Sequence, residues 1–103
     1  GEDMAAIRRL VLDILKPSEV PTIAFARGVS DLTGVDATTA RLVETDREVQ
    51  NIVLVVEGAD VDDDAVVDCL EDLGGTLHSV DEVVCGEHTP VSHEASADAT
   101  WLR

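Results

Sequence analysis

A net charge of −15 on 103 residues, from 22 acidic against 7 basic side chains, excludes nucleic acid and anionic membranes as default partners, because both are bound through a basic face that displaces counterions. The length allows one domain, and 45% apolar residues, though only one Phe, one Trp and no Tyr, are enough for a core and exclude wholesale disorder. The longest apolar runs, about Leu10 to Leu15 and Ile52 to Val56, are too short to span a bilayer, and with no cleavable signal pattern the expectation is a cytoplasmic protein.

In chain order, Ile7 to Lys16 reads as a strand, with Leu10, Leu12 and Ile14 on one face and Arg9, Val11 and Asp13 on the other, stopped by Pro17. Ser18 is placed to cap a helix that tolerates Pro21 in its first turn, buries Ile23, Phe25, Ala26, Val29 and Leu32, and ends at Gly34. Gly28 weakens that helix by about 1 kcal/mol relative to alanine, which points to close packing there. Thr38 to Thr45 is rich in β-branched residues and reads as a second strand. Asn51 to Glu57, apolar on both faces and ended by Gly58, is the clearest strand of the chain. A second helix runs from Asp62 or Asp63 to Leu73, with aspartates at its positive dipole end, Gly74 and Gly75 at its exit, and Val66, Cys69, Leu70 and Leu73 as its buried stripe. Thr76 to Cys85 is the last strand.

Strand, helix, strand, strand, helix, strand, with two right-handed crossovers, gives an α+β ferredoxin-like βαββαβ sandwich: a four-stranded antiparallel sheet of order 4-1-3-2 with both helices on one face. The domain is expected over residues 4–87, followed by an acidic C-terminal tail over 88–103. The other sheet face would carry Val11 on the first strand and Val53 and Val55 on the third, and such a patch calls for cover, a second copy of the chain first.

Oxygen-rich acidic groups without sulfur suit calcium or magnesium. Topology gathers Asp13, Glu44, Asp46 and Glu48 at one sheet end, with His78 nearby and only Lys16 and Arg47 as compensating charge. Asp60, Asp62, Asp64, Asp68 and Glu71 reproduce the acidic spacing of an EF-hand loop, but Ala65 stands where that loop needs glycine and the apolar stripe makes the segment helix; a smaller site of Asp60, Asp62 and Asp64 is the alternative. Asp81 and Glu82 lie across from Arg8 and Arg9, where cross-strand ion pairs are the ordinary explanation. Cys85, His88 and His93 form a soft-ligand trio without a fourth ligand, and the two cysteines have no CxxC partner. No phosphate loop, nucleophile elbow or catalytic triad order is present, so no enzyme is expected. Aspartate-rich, lysine-poor composition, with Lys16 as the sole lysine, is similar to that of salt-adapted archaeal proteins.

The segments IRRLVLDILKP, ETDREVQNIVLVVEG and LGGTLHSVDEVVCGE resemble, in order and over about Ala6 to Glu87, the small archaeal family known as domain of unknown function 211. Ala40 and Thr45, where larger aliphatics are usual, and the tail from His88 to Arg103 depart from its pattern. The resemblance implies a ferredoxin-like domain assembled into closed rings through its sheets, with divalent cations, notably calcium, involved. It is also the reason to keep Asp81 and Glu82, in SVDEVV, among the site candidates. The expected function is therefore a non-enzymatic homo-oligomer binding Ca2+, or Mg2+ in its place, at acidic clusters. The alternative is a regulatory module resembling ACT domains, binding a small metabolite; those domains share the topology and bind amino acids at subunit interfaces near the turn after the first strand, and DLTGV, Asp31 to Val35, is faintly similar to their helix exit, although a plain helix stop is its ordinary explanation.

Overall fold

A computed structural model describes residues 5–87. The chain runs β1 (Ile7–Pro17), α1 (Thr22–Ser30), β2 (Ala37–Thr45), β3 (Val49–Glu57), α2 (Asp63–Asp72) and β4 (Thr76–Cys85). The sheet order is β2-β3-β1-β4 with every neighbouring pair antiparallel, the expected order read from the other edge. This is the ferredoxin-like α+β fold. The tail, with His88 and His93, lies outside the described residues.

Alternation on the two central strands decides which face is buried. Leu10, Leu12 and Ile14 of β1 and Ile52, Leu54 and Val56 of β3 pack with Phe25, Val29, Val66 and Leu70 of the helices in one core. Gly28 brings the helices together: a Cβ there would sit 3.3 Å from both Cys69 Sγ and Leu73 Cδ1. A second close approach closes the loops after α1 and β3, where Gly34, at φ 89°, lies against the Asp60 carbonyl and Gly58 against the Gly34 carbonyl, so that a side chain at either position would overlap backbone.

Two local expectations fail. Ser18 does not cap α1; its hydroxyl donates to the Arg47 carbonyl at 3.0 Å, tying the turn after β1 to the β2–β3 hairpin, while Pro21 holds the N-cap position without a side-chain bond. Ile23 is 54% exposed, because a helix starting at Thr22 turns Phe25 and Val29 inward and leaves Ile23 on its outer side.

Both edge strands are irregular. The pairing of β1 with β4 shifts three times, leaving Arg8 as an extra residue on β1 and His78 and Asp81 as extra residues on β4, and β2 bulges at Val43. Bulges twist an edge and blunt its power to template another strand. Among the described residues no helix is long and apolar enough to cross a membrane.

Candidate functional site: the outer sheet face and its acidic margins

The outer face is built in rows. Val11 stands between Val55 and Glu82, with Thr39 beyond; Asp13 between Val53 and Ser79, with Arg41 beyond; Leu15 between Asn51 and Thr76, with Glu44 beyond. Val11, Val53 and Val55 are partly exposed, and Leu15 and Val49 at the hairpin end are 37% and 42% exposed. The three valines expected to need cover therefore do lie together, with no layer of described residues over them.

Arg9 is the exception on this face, being only 6% exposed. Its Nε donates to Glu57 Oε2 at 2.8 Å and its Nη1 to Glu82 Oε2 at 3.3 Å, so the guanidinium staples β3, β1 and β4 together. The Glu57 hydrogen bond chiefly, with a smaller contribution from Glu82, holds the Arg9 pKa above its ordinary value against the desolvation that lowers it. The expected pairing of Glu82 with Arg9 is thus present, but Glu57 is the stronger partner, and Asp81, displaced onto a bulge, instead accepts from the Ser79 hydroxyl at 2.7 Å. Arg8 Nε donates to the Gly86 carbonyl at 2.6 Å.

The sheet-end acids are neighbours without converging. Asp13 accepts a hydrogen bond from the Asn51 side-chain amide, which also donates to the Ile14 carbonyl at 3.1 Å. Glu44 and Asp46 line a shallow concavity of about 430 Å³ with Leu15, Thr45, Val49 and Asn51. Asp46 also closes the hairpin, its backbone N–H donating to the Val49 carbonyl at 2.9 Å while its carboxylate accepts from the Arg47 backbone N–H at 2.6 Å. Glu48 lies on the far side of Leu15 and Val49, in a separate groove that Lys16 also lines. Exposed His78 sits on a β4 bulge beside the Asp13 row.

Lys16 gives these acids no relief. It faces the core side of β1, is 2% exposed, and its ammonium donates to the carbonyls of Val20 at 2.5 Å and Pro17 at 3.2 Å. Sequence reasoning counted it as compensating charge at this sheet end without assigning it a face; its alternation with Leu12 and Ile14 was the signal that it turns to the core side.

The tightest acidic group among the described residues is Asp62, Asp63 and Asp64, all exposed, with ligand oxygens within 4.8 Å of one another. Asp62 caps α2 by accepting from the Ala65 N–H at 3.2 Å, and Asp63 and Asp64 fill the first turn, where the helix dipole favours negative charge. Asp60 is outside that group, and with Asp64 and Asp68 inside a regular helix no EF-hand loop exists. DLTGV is a helix stop turned by Gly34. Cys85 is exposed, whereas Cys69 packs between the helices, and burial pushes its thiol pKa up, with smaller pushes from Asp72 and Asp31.

Comparison with known proteins adds lineage. Residues 8–98 match the model of DUF211, described as an uncharacterised ArCR family. An uncharacterised protein of Methanocaldococcus jannaschii, MJ0319, is 42% identical over 84 residues, which span 82% of this chain and 87% of the relative.

Proposed function

The chain belongs to the uncharacterised DUF211 family, and we propose that it acts without catalysis in the cytoplasm, as the subunit of a homo-oligomer assembled through its outer sheet face, with divalent cations, calcium before magnesium, held at its acidic clusters. One observation carries the assembly: Val11, Val53 and Val55 form a contiguous patch in the middle of a sheet face over which the described chain lays nothing. Finishing the burial of each half-buried valine is worth roughly 1 kcal/mol per copy at about 25 cal/mol per Å². Neighbouring Leu15 and Val49 extend the patch toward the hairpin. The cation part draws its support from the net charge of −15, which favours any state that binds counter-charge, and from the gathering of Asp13, Glu44 and Asp46 at one sheet end.

The test is molar mass by light scattering in molar potassium chloride, with calcium and with chelator. A multiple of the 11.0 kDa chain is expected, and Val53→Asp should return single chains. A single-chain mass for the unmodified protein refutes the assembly, and an equal mass and stability with chelator refutes the cation part alone.

A second reading, a regulatory module that binds a small metabolite, is favoured by one feature: a groove of about 520 Å³ at the turn after β1, with Lys16 against it.

A further inference from the structure

Two apolar side chains on the helix side of the sheet are left half bare. Val80 pairs with Leu12 and Val83 with Leu10, and residues directly across a ladder share a face. Leu12 and Leu10 are 1% and 3% exposed, whereas Val80 and Val83 are 51% and 49% exposed. The difference comes from where α2 lies. Its buried Val66 and Leu70 sit over the core, and Cys69 turns to Gly28 of α1. At about 100° per residue Val67 stands on the flank away from Cys69 and α1, on the β4 side, where it is partly exposed. Val67, Val80 and Val83 therefore border an apolar step between α2 and the β4 edge.

The occupant follows from what comes next in the chain. β4 ends at Cys85, two residues after Val83, and Gly86, at φ 136°, bends the chain out of the strand. Residues 88–103 follow, with Glu94 and Asp98 against Arg103 as their only charged side chains out of 22 acidic and 7 basic ones, so this segment is repelled least by the acidic domain. It also holds the one tryptophan, Trp101, beside Leu102. An indole offers about 150 to 250 Å² for burial. Reach is ample: the stretch from Glu87 to Trp101 spans up to about 45 Å extended, against about 23 Å back along β4 to Val80. Exposed Asp63 and Glu71, one turn either side of Val67, flank the step. A second copy would add its own acidic surface to them, whereas this segment brings Arg103. We propose that residues 88–103 fold back within the same chain and seat Trp101 and Leu102 against Val67, Val80 and Val83, shielding the free edge of β4. The proposal is independent of the outer-face assembly, because these valines lie on the opposite side of the sheet.

Trp101, as the sole tryptophan, reports its own surroundings in the full chain. In molar potassium chloride its fluorescence should be blue-shifted from that of free tryptophan amide, shielded from acrylamide, and unchanged on dilution and in Val53→Asp. Val83→Asp puts a carboxylate beneath the indole and should loosen the seat about tenfold or more, moving the emission to the red and raising the quenching toward the free value. If Val83→Asp does not fold, Val83→Thr, of the same shape at a half-exposed position, should shift both readings the same way by less. An unshielded tryptophan in the unmodified chain overturns the proposal, as does a shielded one that neither variant changes. Shielding that is lost on dilution or in Val53→Asp assigns Trp101 to a contact between copies and overturns it equally, leaving the outer-face assembly standing.

Discussion

Replacing Arg9 with methionine removes a cation that holds three strands together on the outer face while keeping most of the aliphatic stem. Two charge-assisted hydrogen bonds from a buried guanidinium are worth about 1.5 to 3 kcal/mol each when the partner groups are left dry. Here Glu57 and Glu82 are 36% and 42% exposed and regain water once the arginine is gone, so the sum must be discounted. The expected loss is about 2 kcal/mol, a drop of roughly 10 °C in Tm for a domain of this size. A double-mutant cycle with Glu57→Gln, read by urea unfolding, should return a coupling of about 1 kcal/mol that survives molar salt, because a buried donor is screened far less than a surface pair. The raised Arg9 pKa fixes the sign with pH. Its contribution is present below the unfolded arginine value and is lost only as pH rises through the higher folded value, so the gap between parent and Arg9→Met should stay flat from neutral pH to about 10. Additive single mutants, within about 0.3 kcal/mol, would refute a structural role for the staple.

For the cation sites, Asp13→Asn and Asp46→Asn should each weaken calcium binding measured by calorimetry with unchanged circular dichroism, and Asp62→Asn should do little because its carboxylate already serves the Ala65 N–H; the reverse pattern would move the site to the start of α2. Cys69 should alkylate much more slowly than exposed Cys85 at pH 8, as mapped by mass spectrometry. Its raised pKa favours the protonated thiol in the fold, so this share of stability is present below the unfolded value of about 8.5 and lost as pH rises through the folded value; Cys69→Ala, followed by thermal melts, should remove that part of the alkaline decline.

The fold was legible because β1 and β3 carry their pattern without ambiguity. Leu10, Leu12 and Ile14 against Val11 and Asp13 leave one choice of buried face, and the two helices between strands leave one right-handed crossover each. The start of α1 was misread because Ser18 is as good a partner for a loop carbonyl as for a helix N–H, and only the nearness of Arg47, 29 residues away in sequence, decides between them.

Sites demanded finer placement than pattern supplies. Which acids share a sheet end follows from strand direction, and Glu44, Asp46 and Asp13 do gather there. Whether their oxygens converge depends on single-residue bulges, and the shifts at Val43, His78 and Asp81 turn residues that a regular ladder would align. One such shift sends Asp81 to Ser79 and leaves Glu82 alone to meet Arg9. Lys16 shows the opposite case, for its buried side follows from strict alternation along β1 yet conflicts with the expectation that a lysine seeks water. Where local pattern and residue chemistry disagree in this way, the chain retains a costly group, and function is the first place to look for what offsets it.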